Sequence, residues 1–202
     1  LSPCAELASE SVEITHLPVD KSGIVKIDAF EKALKDDTAL VSIMYANSEL
    51  GSIQPIRKIA KTIMKINEKR LRDWKKLRVS ERGEKPKKIY FHTDATQAVN
   101  FCNCDVDWNY IDMLSMSAHK IYGPKGAGVF YKREGVPMES LQTGGHHEGD
   151  MRSGTLNVTG IVGLGSAIEN IDSEKNNKKV AELRDMLVEE INKNIPDVVL
   201  NT

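Results

Sequence analysis

The sequence predicts an α/β layered fold built on a mostly parallel sheet. Two observations carry that prediction. Short apolar runs alternate with helix-periodic stretches along the 202 residues, and three of the runs end in polar clusters: Asn47-Ser48-Glu49, residues 94–97 and residues 117–120. In parallel sheets, ligands bind beyond the carboxyl ends of the strands, so these clusters are the first candidates for a site.

The elements follow in order. Residues 12–19 alternate in polarity and end at Pro18-Val19-Asp20, with Lys21-Ser22-Gly23 as a turn, which predicts a strand. Asp28 is expected to cap a short helix over 29–35, with Phe30 and Leu34 on one face. Residues 39–45 form a nearly continuous apolar run, the pattern of a strand buried on both sides and central in a sheet. Past the polar loop 47–51, Pro55 is expected to open a helix carrying Ile59, Ile63 and Ile66 on one face. That helix is expected to fade into charge. Residues 65–88 hold eleven lysines and arginines against four acids, which reads as a solvated helix end and a flexible basic surface insertion over 67–88. Further strands are expected at 89–92, 111–116 and 128–132. A glycine-rich loop, 143–154, precedes a helix near 161–171 and a longer amphipathic helix over 178–193, which Pro196 keeps from continuing.

Composition narrows the function classes. With 28 basic and 29 acidic residues the net charge is -1, which argues against a dedicated nucleic-acid or membrane-surface protein. No apolar run approaches the roughly 20 residues that span a bilayer, and the N-terminus has neither a basic region nor an apolar signal core. Three cysteines cannot all pair, and Cys102 and Cys104 are close neighbours, so a reduced compartment and a cytoplasmic location are expected. The first residue is not methionine, which suggests a partial chain.

The chemistry rests on Lys120. It ends the run Ser115-Met116-Ser117-Ala118-His119-Lys120, just before the Gly123-Pro124 turn, where a lysine placed in a crevice can act as a carbonyl-seeking amine. An enzyme using pyridoxal 5'-phosphate needs such a lysine, an acid to keep the ring nitrogen protonated, and donors for the phosphate. Lys120, Asp94, Gln97, Ser117 and His119 supply those groups. Each has a plainer reading alone: an aspartate after a strand often caps a helix, and a histidine often only completes a hydrogen bond. Their joint placement at strand ends is the argument.

These residues also carry a family likeness. The strings His92-Thr93-Asp94-Ala95-Thr96-Gln97-Ala98, Ser117-Ala118-His119-Lys120-Ile121-Tyr122-Gly123-Pro124-Lys125-Gly126, Gly144-Gly145-His146-His147-Glu148 and Met151-Arg152-Ser153-Gly154-Thr155 closely resemble the cysteine desulfurases. These are fold-type I, class V aminotransferase-like enzymes that use pyridoxal phosphate. The resemblance covers almost the whole chain. It implies a three-layer α/β/α sandwich, residues 1–202 being part of the large cofactor-binding domain. It further implies Lys120 as the Schiff-base lysine, Asp94 as partner of the ring nitrogen, Gln97 as partner of the ring hydroxyl, and Ser117 and His119 as phosphate ligands. Thr155 resembles a threonine that reaches the phosphate of the neighbouring subunit, which implies a homodimer with shared sites. The implied reaction converts L-cysteine to L-alanine and passes the sulfur, as an enzyme persulfide, to an acceptor or scaffold protein for iron-sulfur clusters or tRNA thiolation.

The departures are specific. Ser48 stands where the family has an asparagine that contacts cofactor and substrate, Ala118 replaces a common glycine, and His146 and Gly149-Asp150 alter the glycine-rich loop. By the resemblance, the ring-stacking histidine lies upstream of this chain, and the nucleophilic cysteine and a carboxylate-binding arginine lie downstream. Cys4, Cys102 and Cys104 do not match the nucleophile, and Cys4 and Cys102 read as fillers. Selenocysteine lyases and other class V enzymes share these motifs. A metal-dependent hydrolase could draw on His92, Asp94, His119, His146, His147 and Glu148, yet no compact metal spacing occurs and Lys120 would go unexplained. A noncatalytic binding module would use the basic segment, in which Trp74 is the lone tryptophan for stacking.

Overall fold

Four strands form one mixed sheet in the computed structural model, which describes residues 2–10 and 12–200. Strands β1 (Leu40–Met44), β2 (Tyr90–Asp94) and β3 (Met113–Ser117) run parallel, and β4 (Gly128–Lys132) returns antiparallel to β3. The helices are α1 (Ser2–Ser9), α2 (Ile27–Ala33), α3 (Ile56–Lys76), α4 (Val158–Glu169) and α5 (Ser173–Asn194). This is the α/β class with a mostly parallel sheet that the patterning predicts.

Strand alternation decides which face is buried. Val41, Ile43, Phe91, Thr93, Leu114 and Met116 point to one side and are all buried. On that side they join one core with Phe30 of α2 and with Ile56, Ile59, Ala60 and Ile63 of α3, and Leu164 of α4 joins through Ala118 and Ile121. The opposite side carries Leu40, Met44 and Phe130, each about half exposed. The core is fixed at its polar edge by Asp112, which is buried and accepts from Phe91 N at 2.9 Å and Lys88 Nζ at 2.8 Å.

Several boundaries differ from the pattern reading. Residues 12–19 are not a strand of the sheet; among the described ones, only an isolated antiparallel bridge, Val19 with Val25, is formed. The buried Gln54 holds that turn, accepting from Val25 N at 2.9 Å and donating to Gly23 O at 2.7 Å. Asp28 lies inside the first turn of α2 and does not cap it; Lys26 is at the cap position without a side-chain bond. Pro55 occupies the cap position of α3 instead of its first turn. β1 is an edge strand of the described sheet, with Leu40 at 54 % and Met44 at 45 % exposure, so the apolar run does not mark a central strand. A run of apolar residues reports hydrophobicity on two faces; it does not report whether both are covered.

α3 does not fade at residue 67 but continues to Lys76. The return segment packs onto its end: Trp74 Nε1 donates to Gly83 O at 3.1 Å, and the Arg82 guanidinium lies 5.1 Å from the Trp74 ring. Arg82 also donates to Leu77 O at 3.1 Å and Lys75 O at 2.7 Å, satisfying carbonyls that a helix C-terminus leaves open. α5 begins earlier than periodicity suggests, because Asp172 caps it by accepting from Lys175 N at 3.0 Å.

Phe91 is 1 % exposed at the centre of this core. Phe91→Ala should cost about 3–5 kcal/mol in urea denaturation, whereas Val180→Ala on the exposed α5 should cost less than about 0.5 kcal/mol. Similar losses from both would contradict the placement of the core.

Candidate functional site

Three chain segments leave the sheet at the same edge. β1, β2 and β3 are parallel with Met44 opposite Asp94 and Asp94 opposite Ser115, so β1 and β2 end level and β3 runs on two residues to Ser117. Tyr45 N donates to Asp94 O at 2.8 Å and Ala95 N to Ser115 O at 2.9 Å, carrying the alignment one residue past the strands. Asp94 is therefore exposed at the end of β2. One of its carboxylate oxygens accepts from Thr96 N at 2.9 Å, which turns the chain and brings Gln97 onto the following turn.

On the neighbouring strand the chain passes straight from β3 into a short 3-10 turn, Ala118–Ile121, that carries His119 and Lys120 outward. Buried Ala118 and Ile121 anchor the turn below, and Tyr122 closes it in a left-handed conformation (φ 67°), with Gly123 N donating to Ala118 O at 2.9 Å. A side chain at Gly123 would meet the Ala118 Cβ and carbonyl at 3.0 Å. The alanine that departs from the family's glycine is thus accommodated by the glycine facing it. Gly128 is equally constrained: a Cβ there would come within 2.8 Å of Met116 O.

Asp94, Gln97, Ser117, His119 and Lys120 are brought to adjacent strand ends. Ser48 lies beyond the end of β1, on the tip of a loop closed by Asn47, whose Oδ1 accepts from Glu49 N at 2.9 Å and Leu50 N at 2.8 Å. Thr155 is separate and exposed, where the glycine-rich loop runs into α4; Asn157 caps that helix by accepting from Gly160 N at 3.0 Å. The loop is tied by Ser153, whose N donates to Gln142 O at 3.1 Å and whose Oγ donates to Gly145 O at 3.0 Å. Among the described residues, the side chains of Ser48, Gln97, Ser117, His119, Lys120 and Thr155 make no hydrogen bond or ion pair within the chain. An amine, an amide, a hydroxyl and an imidazole next to a carboxylate form a donor set that fits an aldehyde, a ring nitrogen and a phosphate, as pyridoxal phosphate presents them. A cleft of about 320 Å³ lies on the other side of the 3-10 turn, lined by Tyr122, Gly163 and Ala167, and contains none of these residues.

Other candidates are not assembled. Among the described residues, no three of His, Cys, Asp or Glu lie close enough to hold a metal ion. The thiols are not poised as nucleophiles: burial pushes the pKa of Cys102 up and that of Cys104 up to about 12, the latter also through the charge of Cys102. Cys102 and Cys104 pack against the core, and Cys4 is half-buried. No helix among the described residues is long and apolar enough to cross a membrane.

A family model described as aminotransferase class-V matches residues 1–71 and 78–202. The chain belongs to the class-V aminotransferase family. It is 43 % identical over 203 residues to the cysteine desulfurase IscS of Dictyoglomus turgidum, covering all of this chain and 46 % of that protein. It is 44 % identical to the IscS of Methanosarcina thermophila, with 45 % of that protein covered, and 40 % identical to the cysteine desulfurase of Homo sapiens, also with 40 % covered. Among solved structures, a NifS-like protein superimposes with a TM-score of 0.77 at 35 % identity, covering 92 % of this chain and 46 % of that one. The structure titled SspA in complex with cysteine gives 0.76 at 34 % identity, covering 93 % and 48 %. The class-V chain thus spans less than half the length of these relatives.

The sequence places His92 in a strand but does not show what it does there. His92, in the middle of β2, bridges the open side of the sheet, with Nδ1 2.8 Å from Ser42 Oγ and Nε2 3.3 Å from Ser115 Oγ. Its ring stacks on Phe130 with centroids 6.0 Å apart. The row therefore crosses all four strands just inside Asp94. The inside-outside alternation of β2, with His92 and Asp94 two residues apart, is the signal that could have found it. Burial lowers the His92 pKa below the ordinary 6.5, with the nearby Asp94 charge opposing.

A lowered folded pKa means that the unfolded chain takes up the proton first as pH falls. Stability from neutral His92 is complete above about pH 6.5 and is lost below it, down to the folded pKa. Urea midpoints taken at about pH 7.5 and about pH 5.5 should therefore converge more closely for His92→Gln than for the parent chain. An identical pH dependence in the two proteins would contradict this.

Proposed function

We propose that the protein containing this chain is a cysteine desulfurase dependent on pyridoxal phosphate, converting L-cysteine to L-alanine and delivering the sulfur to an acceptor protein. The single observation that carries the reading is the parallel pairing of β2 with β3, Asp94 opposite Ser115 and two residues short of the end of β3, which puts Asp94 and Gln97 past one strand and Ser117, His119 and Lys120 at the end of its neighbour. The likeness to cysteine desulfurases along the whole chain supports the substrate class.

When bound, the cofactor supplies an electron sink that stabilises negative charge on the substrate carbon bonded to the amine. The chain's own residues account for the rest. Lys120 Nζ would hold the cofactor's aldehyde carbon and, as a free amine, would move a proton at the substrate carbon. The Asp94 carboxylate keeps a proton on the ring nitrogen, a charge-assisted hydrogen bond that maintains the sink. Gln97 donates its amide to the ring hydroxyl, and Ser117 Oγ and His119 hold the phosphate. Thr155, presented at the end of its tied loop, reaches the phosphate of a neighbouring subunit in a homodimer. Ser48 contacts substrate through a bridging water, its hydroxyl being shorter than an asparagine amide. By the resemblance, the sulfur-accepting thiol belongs to the rest of the protein; Cys102 and Cys104 pack against the core, and burial raises their pKa.

The test is alanine release from L-cysteine by the intact protein supplied with pyridoxal phosphate. Lys120→Ala should lower turnover by at least about 100-fold, and Asp94→Asn should lower it by a smaller factor while shifting the visible absorption of the bound cofactor. Retention of more than about a tenth of the turnover in Lys120→Ala would overturn the assignment.

A further inference from the structure

The outer face of α3 carries Lys58, Lys61, Lys65, Lys69, Arg72 and Lys76, spaced three or four residues apart, and all six are exposed. At about 100° per residue they fall on one narrow stripe, opposite the buried Ile56, Ile59, Ala60 and Ile63. With a rise of about 1.5 Å per residue the stripe is about 27 Å long. Among the described residues, the one ion pair on it joins Lys76 to Asp73 at 3.5 Å. A solvated helix face ordinarily interleaves acids at such spacings, because like charges three or four residues apart repel by a few tenths of a kcal/mol per pair. Here the cations follow one another for five turns in a chain whose net charge is -1.

The far end of the stripe, residues 72–77, lies outside the two stretches that the class-V family model matches. It is also held firmly. Asn67 exchanges hydrogen bonds of 2.9 Å with both Ile89 O and Ile89 N, and Trp74 and Arg82 lock the return segment. We propose that this stripe is a docking rail for an acidic helix of a partner protein. Carboxylates recurring once per turn on such a helix repeat every 5.4 Å or so and match the cations turn for turn. RNA fits less well: at about 100° per residue Trp74 falls on the opposite side of α3 from the stripe, with the Arg82 guanidinium over its ring, so the stripe itself carries no aromatic for a base to stack on. The inference is independent of the reaction proposed above.

The experiment uses the intact protein, a fluorescent alanine-based helical peptide with glutamate at every fourth position, and a labelled oligouridine of about 20 nucleotides. At low salt, Lys65→Glu/Lys69→Glu/Arg72→Glu should weaken peptide binding by about tenfold or more, and added salt should weaken it further. Reversal of Lys175, Lys178 and Lys179 on α5 should change it by less than about twofold. A Gln version of the stripe variant, with its helical circular dichroism checked, should show an intermediate loss. Unchanged affinity in both stripe variants, an equal loss on reversing the α5 lysines, or tighter binding of the oligouridine than of the peptide would overturn the proposal.

Discussion

The parallel pairing of β2 with β3 is the constraint on which the rest of the site depends. Ala95 N donates to Ser115 O at 2.9 Å, one residue beyond the last paired position, so β2 leaves the sheet two residues before β3, which runs on to Ser117 beside β4. A slip of one residue would turn Asp94 to the buried side and bring Thr93, now fully buried with Oγ1 bonded to Ile43 O at 2.8 Å, out of the core. The register is therefore enforced from below by the hydrophobic face and by Asp112, which ties Phe91 N and Lys88 at the opposite end of the strand pair. Core packing and site geometry are one constraint seen from two ends.

The two sides of the sheet differ in kind. One is a continuous apolar layer under α2 and α3. The other is lined by the Ser42–His92–Ser115 row and by half-exposed Leu40, Met44 and Phe130. Partial burial lowers the His92 pKa there, and both ring nitrogens have hydroxyl partners that can donate or accept, so the row tolerates either tautomer. Its neighbour Asp94 stays at the rim, where solvent reaches it. The polar row gives a rigid floor behind the exposed donors and leaves those donors free for a ligand.

How much of this was legible in the sequence depends on whether local information sufficed. The strands at 89–92, 111–116 and 128–132 and their polar ends were legible, because each joins an apolar run to a turn-forming cluster. The motif around Lys120 pointed to the site for the same reason, since residues 117–120 follow β3 without a gap. The edge position of β1 was not legible: Leu40 and Met44 look like core residues, and only the sheet order exposes them. Nor was the full length of α3, where charge masked a helix stabilised from outside by Asn67, Trp74 and Arg82 through partners 7 to 22 residues distant in sequence. The turn at 19–25 read as the end of a strand because Gln54, 29 residues away from Val25, was invisible to local pattern.

Charge follows the same division of labour. Lys120 and His119 stand on a two-residue arc fixed by buried Ala118 and Ile121, whereas the cations of α3 repeat along a helix face that has no further role in the core. The central claim concerns the first of these. It is tested most directly by loading the intact protein with pyridoxal phosphate, reducing it with borohydride and mapping the labelled peptide. The account predicts the reduced label on Lys120; a label on Lys125 or Lys132, or no retained label, would contradict it.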